Sequence, residues 1–375
     1  MRIAGLSIAR LLAILIKEFR QIRRDRLTFA MMVAVPIVQL VLFGFAINTD
    51  PKHLPLAVLD QDHSRLSRAI AQGLQNSRYF ALEATPADSA AGDQLLEHGK
   101  VQFLLVVPPG FERRTLRGER PGLLLAADAT DPSASGNALA AVAGVSQQVI
   151  RRELGAGHAQ PEPFDLRIQR RYNPDGLARY NIVPGLIGVI LTMTMVMMTA
   201  LAMTRETERG TMENLLATPA RPSEVMVGKI LPYILIGYVQ VSVILVLAKL
   251  LFDVPMVGSL ALLSAVLVAF IAANLAVGFT FSTLARNQLQ AMQLTFFFFL
   301  PSMLLSGFMF PFRGMPPWAQ AIGEVLPLTH FLRIVRGILL KGNSAADIWQ
   351  ELWPILLFMT GAGAVALKRY RQTLD

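Results

Sequence analysis

Six stretches of this chain are long and apolar enough to cross a lipid bilayer, which narrows its folds more than any motif does. A hydrocarbon core of roughly 30 Å needs about 20 helical residues. Apolar runs over 27–47, 182–204, 230–252, 259–284, 289–310 and 348–367 meet that length. Lipid offers no partner to backbone N–H and C=O groups, so runs of this kind are expected as helices, which satisfy those groups internally. Only 16% of residues are charged, well under the roughly 25% of a soluble protein. The expected fold class is an α-helical polytopic membrane protein with six transmembrane helices and an α+β domain inserted between the first and second.

Charge in the short loops sets the orientation. Seven basic residues precede the first run, four lie in 205–229, Arg286 follows the fourth run, and three lie in 368–371. On the other side 253–258 holds none, and 311–347 holds Arg313, Arg333, Arg336 and Lys341. Fifteen against four predicts both termini in the cytoplasm by the positive-inside rule. The 49–181 segment is left out because large domains translocate largely regardless of charge. The net charge of +9 thus flanks apolar runs and does not form a nucleic-acid-binding tail.

The first run ends near Gly44-Phe45-Ala46, which resembles a signal cleavage site. The run is longer than the roughly 7–15 residues of a signal-peptide core, so 27–48 is expected to remain as the first transmembrane helix. Before it, Ile3, Leu6, Ala9, Leu12, Ala13, Ile16 and Phe19 recur at helical spacing among basic residues. Residues 1–26 are therefore expected as an amphipathic cytoplasmic elbow helix lying in the headgroup plane. A charge-anchored flank of the first span reads equally well.

Residues 49–181 are enough for one compact domain. Strand-like runs at Leu54–Leu59, Tyr79–Glu83, Val101–Val107, Gly122–Ala127 and Asp165–Arg171 alternate with helical stretches at Ser64–Asn76, Ala87–His98 and Asn137–Leu154. Asp60-Gln61-Asp62-His63 lacks the companions that would complete a metal-ligand set. It reads as a turn capping the helix that begins near Ser64. The other histidines are scattered, there are no cysteines, and no metal site is expected.

Nor does the chain carry an engine. The Gly-Lys pairs at 99–100 and 228–229 are followed by Val101 and Ile230 and lack the preceding glycine of a P-loop. A secondary transporter would place ionisable groups near mid-membrane; here the interior polar residues are uncharged (Gln39, Gln240, Asn274, Gln293), and Lys249 sits at a span end. No catalytic residues and no cofactor are expected on this chain.

Between the second and third apolar runs lies 205–229, RETERGTMENLLATPARPSEVMVGK, a charged segment with Met212, Leu215 and Leu216 on one helical face. It is similar to the cytoplasmic segment of ABC-2 type transporter permeases. Tyr172-Asn173-Pro174, Pro184-Gly185, Leu305-Ser306-Gly307, Phe310-Pro311 and Pro327-Leu328-Thr329-His330-Phe331 extend the likeness in the same order. The chain most resembles the inner-membrane subunits of bacterial multidrug-type exporters with a large periplasmic domain.

That resemblance implies two permease subunits, identical or different, paired with two ABC ATPase subunits that bind ATP and Mg. It implies a periplasmic 49–181 domain, a five-helix 182–375 unit, a coupling segment at 205–229 and outer re-entrant helices at 311–341. Arg205, Glu206, Glu208, Gly210, Thr211, Glu213, Leu215, Leu216 and Pro219 are the candidate coupling residues. Met193 and Met197, with Phe296 and Phe299, are candidates for a pliable apolar path, against ordinary core or lipid-facing packing. Ala261, Ala265, Ala269 and Ala273 form a small-residue stripe suited to internal packing or to a dimer interface. A periplasmic adaptor is a candidate partner, and an apolar or amphipathic cargo suits the uncharged spans. The competing reading is a membrane-anchored receptor or scaffold whose outer domain binds a partner.

Overall fold

The computed structural model describes residues 2–3, 6–7, 52–154, 163–208 and 222–372. At its start Arg2 pairs with Ser7 and Ile3 with Leu6 in a short antiparallel strand pair. The helix expected over 1–26 therefore does not include its first described residues, Arg2, Ile3, Leu6 and Ser7, which flank Gly5, a poor helix former. The rest of that segment and the first expected span lie outside the described residues.

Five strands make one mixed sheet: β1 (Leu54–Asp60), β2 (Phe80–Ala84), β3 (Phe103–Val107), β4 (Gly122–Asp128) and β5 (Asp165–Arg171). The order is β2-β1-β3-β4-β5, with β3 and β4 antiparallel and the other neighbours parallel. Helices α1 (Arg65–Asn76), α2 (Ser89–Glu97), α3 (Phe111–Leu116) and α4 (Pro132–Leu154) connect the strands. Strand period two divides the core. Leu54, Leu56 and Val58 pack with Leu66, Ile70 and Val142 from α1 and α4, while Ala57 and Leu59 pack with Leu96 and Val101. β1 is covered on both faces, which is why it reads as a nearly unbroken apolar run.

Registers place the connections. Leu56 aligns with Phe103, Phe103 with Ala127, and Asp128 with Arg171. The beginning of β1, the end of β4 and the end of β5 thus share one edge of the sheet, so the chain enters and leaves at the same end.

The helical unit contains α5 (Ala178–Glu208), α6 (Pro222–Phe252), α7 (Leu260–Leu284), α8 (Gln288–Leu305), α9 (Pro317–Val325), α10 (Pro327–Arg336) and α11 (Ala345–Gln372). Five of these (α5 to α8, and α11) are long and apolar enough to cross a membrane. α8 stops at Leu305, short of the expected 310, because Ser306 caps it and Gly307 turns left-handed at φ +80°. α5 and α7 approach closely at Gly278, where a Cβ would lie 2.6 Å from the Val196 carbonyl oxygen. The amphipathic α10 inserts its apolar side into this bundle, with Phe331 stacked on Phe270 of α7 at 4.0 Å between ring centres.

Candidate functional site: a polar joint between sheet and helices

α10 has too many charges to be buried without partners, and the structure supplies them. After Arg336 the chain continues as a π-helical turn, Gly337–Lys341, ended by Gly342 at φ +79°. Such turns are frequent at functional sites. This one carries Lys341 to the end of β4, where its Nζ donates to Asp128 Oδ2 at 2.5 Å and to the Leu96 carbonyl at 3.3 Å. The Lys341 and Asp128 side chains are only 8% and 9% exposed. The other Asp128 oxygen accepts from the Thr130 amide and hydroxyl. Lys341 also lies over the Tyr172 ring. Burial, and then the carboxylates of Asp128 and Glu97, push the Tyr172 hydroxyl up to about 12.

Two further links flank this pair. Asn181, in the first turn of α5, donates to the Thr130 carbonyl at 2.9 Å and accepts from Arg336 at 3.1 Å. Arg336 also donates to the Gly307 carbonyl, and burial lowers its pKa. On the other flank His98, at the end of α2, meets Asp347 at 2.9 Å. Asp347 in turn accepts from the Ser344 amide and hydroxyl, capping α11. His98, Asp128, Thr130, Arg336, Lys341 and Asp347 border a polar cavity of about 350 Å³.

A second cluster braces α9, α10 and α11. His330 Nδ1 meets Glu351 at 2.6 Å and its Nε2 meets the Glu324 carbonyl at 2.8 Å. Arg333 pairs with both Glu324 and Glu351 and lies over Phe312. Arg333, Arg336 and Lys341, which counted against the positive-inside expectation, are thus committed to internal partners. Sequence reasoning weighed them only as loop charges and missed the joint. No local sequence pattern links these groups, since Asp128 and Lys341 stand 213 residues apart.

The expected site residues are dispersed. Arg205, Glu206 and Glu208 lie on the last turns of α5. Glu208 accepts from the amide and side chain of Gln288 at 2.9 and 2.6 Å, joining the end of α5 to the start of α8. Gly210, Thr211, Glu213, Leu215, Leu216 and Pro219 lie outside the described residues. Phe299 is buried in the helical core with Met193 packed against it, Met197 is half-buried and Phe296 is exposed. The four do not share one environment.

The alanine stripe also divides. Ala269 and Ala273 are buried, whereas Ala261 and Ala265 are exposed. At 3.6 residues per turn, a four-residue spacing drifts about 40° per step, so the stripe leaves the packed face. Asp60 accepts from the Asp62 and His63 amides, Ser64 caps α1, and Asp62 accepts from the amides of Phe111 and Glu112. Those side chains serve helix starts. Among the described residues no cluster of three or more His, Cys, Asp or Glu residues could hold a metal ion.

A family model described as ABC-2 family transporter protein matches residues 26–368, nearly the whole chain. The chain belongs to the ABC-2 transporter family. It is 30% identical over 345 residues to "Probable multidrug ABC transporter permease YbhS" of Escherichia coli, covering 90% of each chain. It is 27% identical over 366 residues to "Probable multidrug ABC transporter permease YbhR" of the same organism, covering 97% of this chain and 98% of that one. It is 29% identical over 382 residues to "Inner membrane transport permease YhhJ", covering 96% of each. The matches to these permeases thus cover nearly the whole length of this ABC-2 permease.

Proposed function

We propose that the chain is a permease subunit of an ATP-driven exporter, forming the translocation path beside a second permease and driven by a separate ABC ATPase. The observation that carries this reading is the connection between α5 and α6. Both helices run beyond their apolar portions, to Glu208 and from Pro222, and the charged 205–229 segment joins them. Glu208 is anchored on Gln288, so force applied there would reach α5 and α8 together. In this reading Glu206 and Glu213 face the ATPase, while Glu208 holds the segment in place.

The termini lie in the cytoplasm of a bacterial inner membrane, and the sheet domain lies in the periplasm. The exposed apolar face of α6, including Leu235, Val239, Val243 and Leu250, meets lipid or the other permease. Names given to the relatives support a multidrug role, and the uncharged spans suit apolar or amphipathic cargo. The test is ATP hydrolysis by the copurified complex in lipid nanodiscs, wild type beside Glu213→Arg. Robust hydrolysis that falls at least tenfold in the variant, at equal membrane levels, is the expected result. If no ATPase copurifies, the receptor or scaffold reading replaces this one.

A further inference from the structure

We propose that Lys341 and Asp128 form a latch that locks the sheet domain to the helical unit, so that the two move as one body. The attachment is local and built from specific chemistry. On the domain side, its groups are the Leu96 carbonyl, His98, Asp128 and the Thr130 carbonyl. On the helical side they are Asn181 of α5, Lys341 of the π-helical turn and Asp347 of α11, with Arg336 bonded behind Asn181. Helices distant in sequence thus converge on the end of the sheet where the chain enters and leaves.

Lys341–Asp128 is the strongest of these links for three reasons. It is a charge-assisted hydrogen bond, roughly twice as strong as a neutral one. Both side chains are withdrawn from water, so solvent screens the pair little. Each group is also fully committed: Thr130 occupies one Asp128 oxygen, and Tyr172 and the Leu96 carbonyl complete the surroundings of the ammonium. Separating the pair would deprive two largely buried charges of their counter-charge, the costly outcome for an ion pair in a protein interior. His98–Asp347 is more exposed and serves as a side stay.

The π-helical turn positions the ammonium. Closing its ring at five residues instead of four changes the direction of every side chain after Arg336. Rewinding it to an α-helix would swing Lys341 by about 100°, the angle of one residue, and away from Asp128. A displacement of α10 or α11 is therefore carried into the domain while the latch is closed. This goes beyond the transport reading and does not depend on it, because the attachment can be measured without cargo or ATPase.

The chain has no cysteine, so two can be introduced as spin-label sites without background. Gln72→Cys on α1 and Ala321→Cys on α9 are both exposed. Pulsed electron spin resonance on the full-length detergent-purified protein should give a single narrow distance distribution. Lys341→Met should at least double its width, as should the neutral pair Asp128→Asn with Lys341→Met. The neutral pair leaves no buried lone charge and covers the case in which the single variant fails to fold. Reversing the pair, Asp128→Lys with Lys341→Asp, should narrow the distribution again. A distribution as narrow in the neutral pair as in the wild type would overturn the latch.

Discussion

At the level of single residues, His330 shows how burial and pairing compete. Burial works against the imidazolium, but the hydrogen bonds to Glu351 and the Glu324 carbonyl outweigh it, and its pKa lies above the ordinary 6.5. Arg333 faces the same two glutamates and opposes the shift without reversing it. A raised folded pKa means that the protonated state stabilises the fold fully below about 6.5 and loses that contribution as pH rises through the folded value. Wild type should therefore exceed His330→Gln in melting temperature by more at pH 6 than at pH 9. A gap that stays level or widens with pH would show that the imidazolium does not stabilise this cluster.

Among the elements, α7 is the packing centre. Gly278 brings it against the α5 backbone, and Phe270 stacks on α10. Gly278→Val would force the helices apart and should destabilise the protein by about 1–3 kcal/mol, the usual cost of overpacking. Thermal unfolding in detergent, followed by fluorescence, measures it; an unchanged melting temperature would mean that α5 and α7 separate freely. These contacts also show what the sequence could express. Apolar length revealed α5, α6, α7 and α11 to within a few residues at the helix ends nearest the sheet, and short apolar runs set off by turn residues revealed the strands of the sheet. α8 was drawn too long because hydropathy continues through Met309 and Phe310, whereas a backbone turn at Gly307 ends the helix. The joint was illegible because Asp128 and Lys341 are more than 200 residues apart and no local pattern links them. The stripe from Ala261 to Ala273 divides for the opposite reason: its spacing is local, but burial depends on what stands opposite each turn.

For the whole molecule, the sheet domain and the helical unit each have their own core, and a polar cavity bordered by Glu97, Asp128, Arg336 and Lys341 lies where they meet. The start of α11 must face the same compartment as the sheet domain, because Asp347 touches His98, and the proposed orientation puts both in the periplasm. Ser344→Cys is exposed beside it and should react with a membrane-impermeant maleimide added to intact cells with a permeabilised outer membrane. Labelling only after the inner membrane is broken would reverse the orientation.

The shared end at which the polypeptide enters and leaves the sheet gives this protein the character of a cassette. A short graft across that end would reconnect the chain, and a foreign module could be transplanted at the same seam. Excision would still leave a scar. Lys341 would lose Asp128, Asn181 would lose the Thr130 carbonyl, and polar groups now sealed would open to water. A successful transplant would therefore have to supply a carboxylate and a carbonyl at the seam, and the choice of graft is constrained by those two atoms more than by the size of the module it carries.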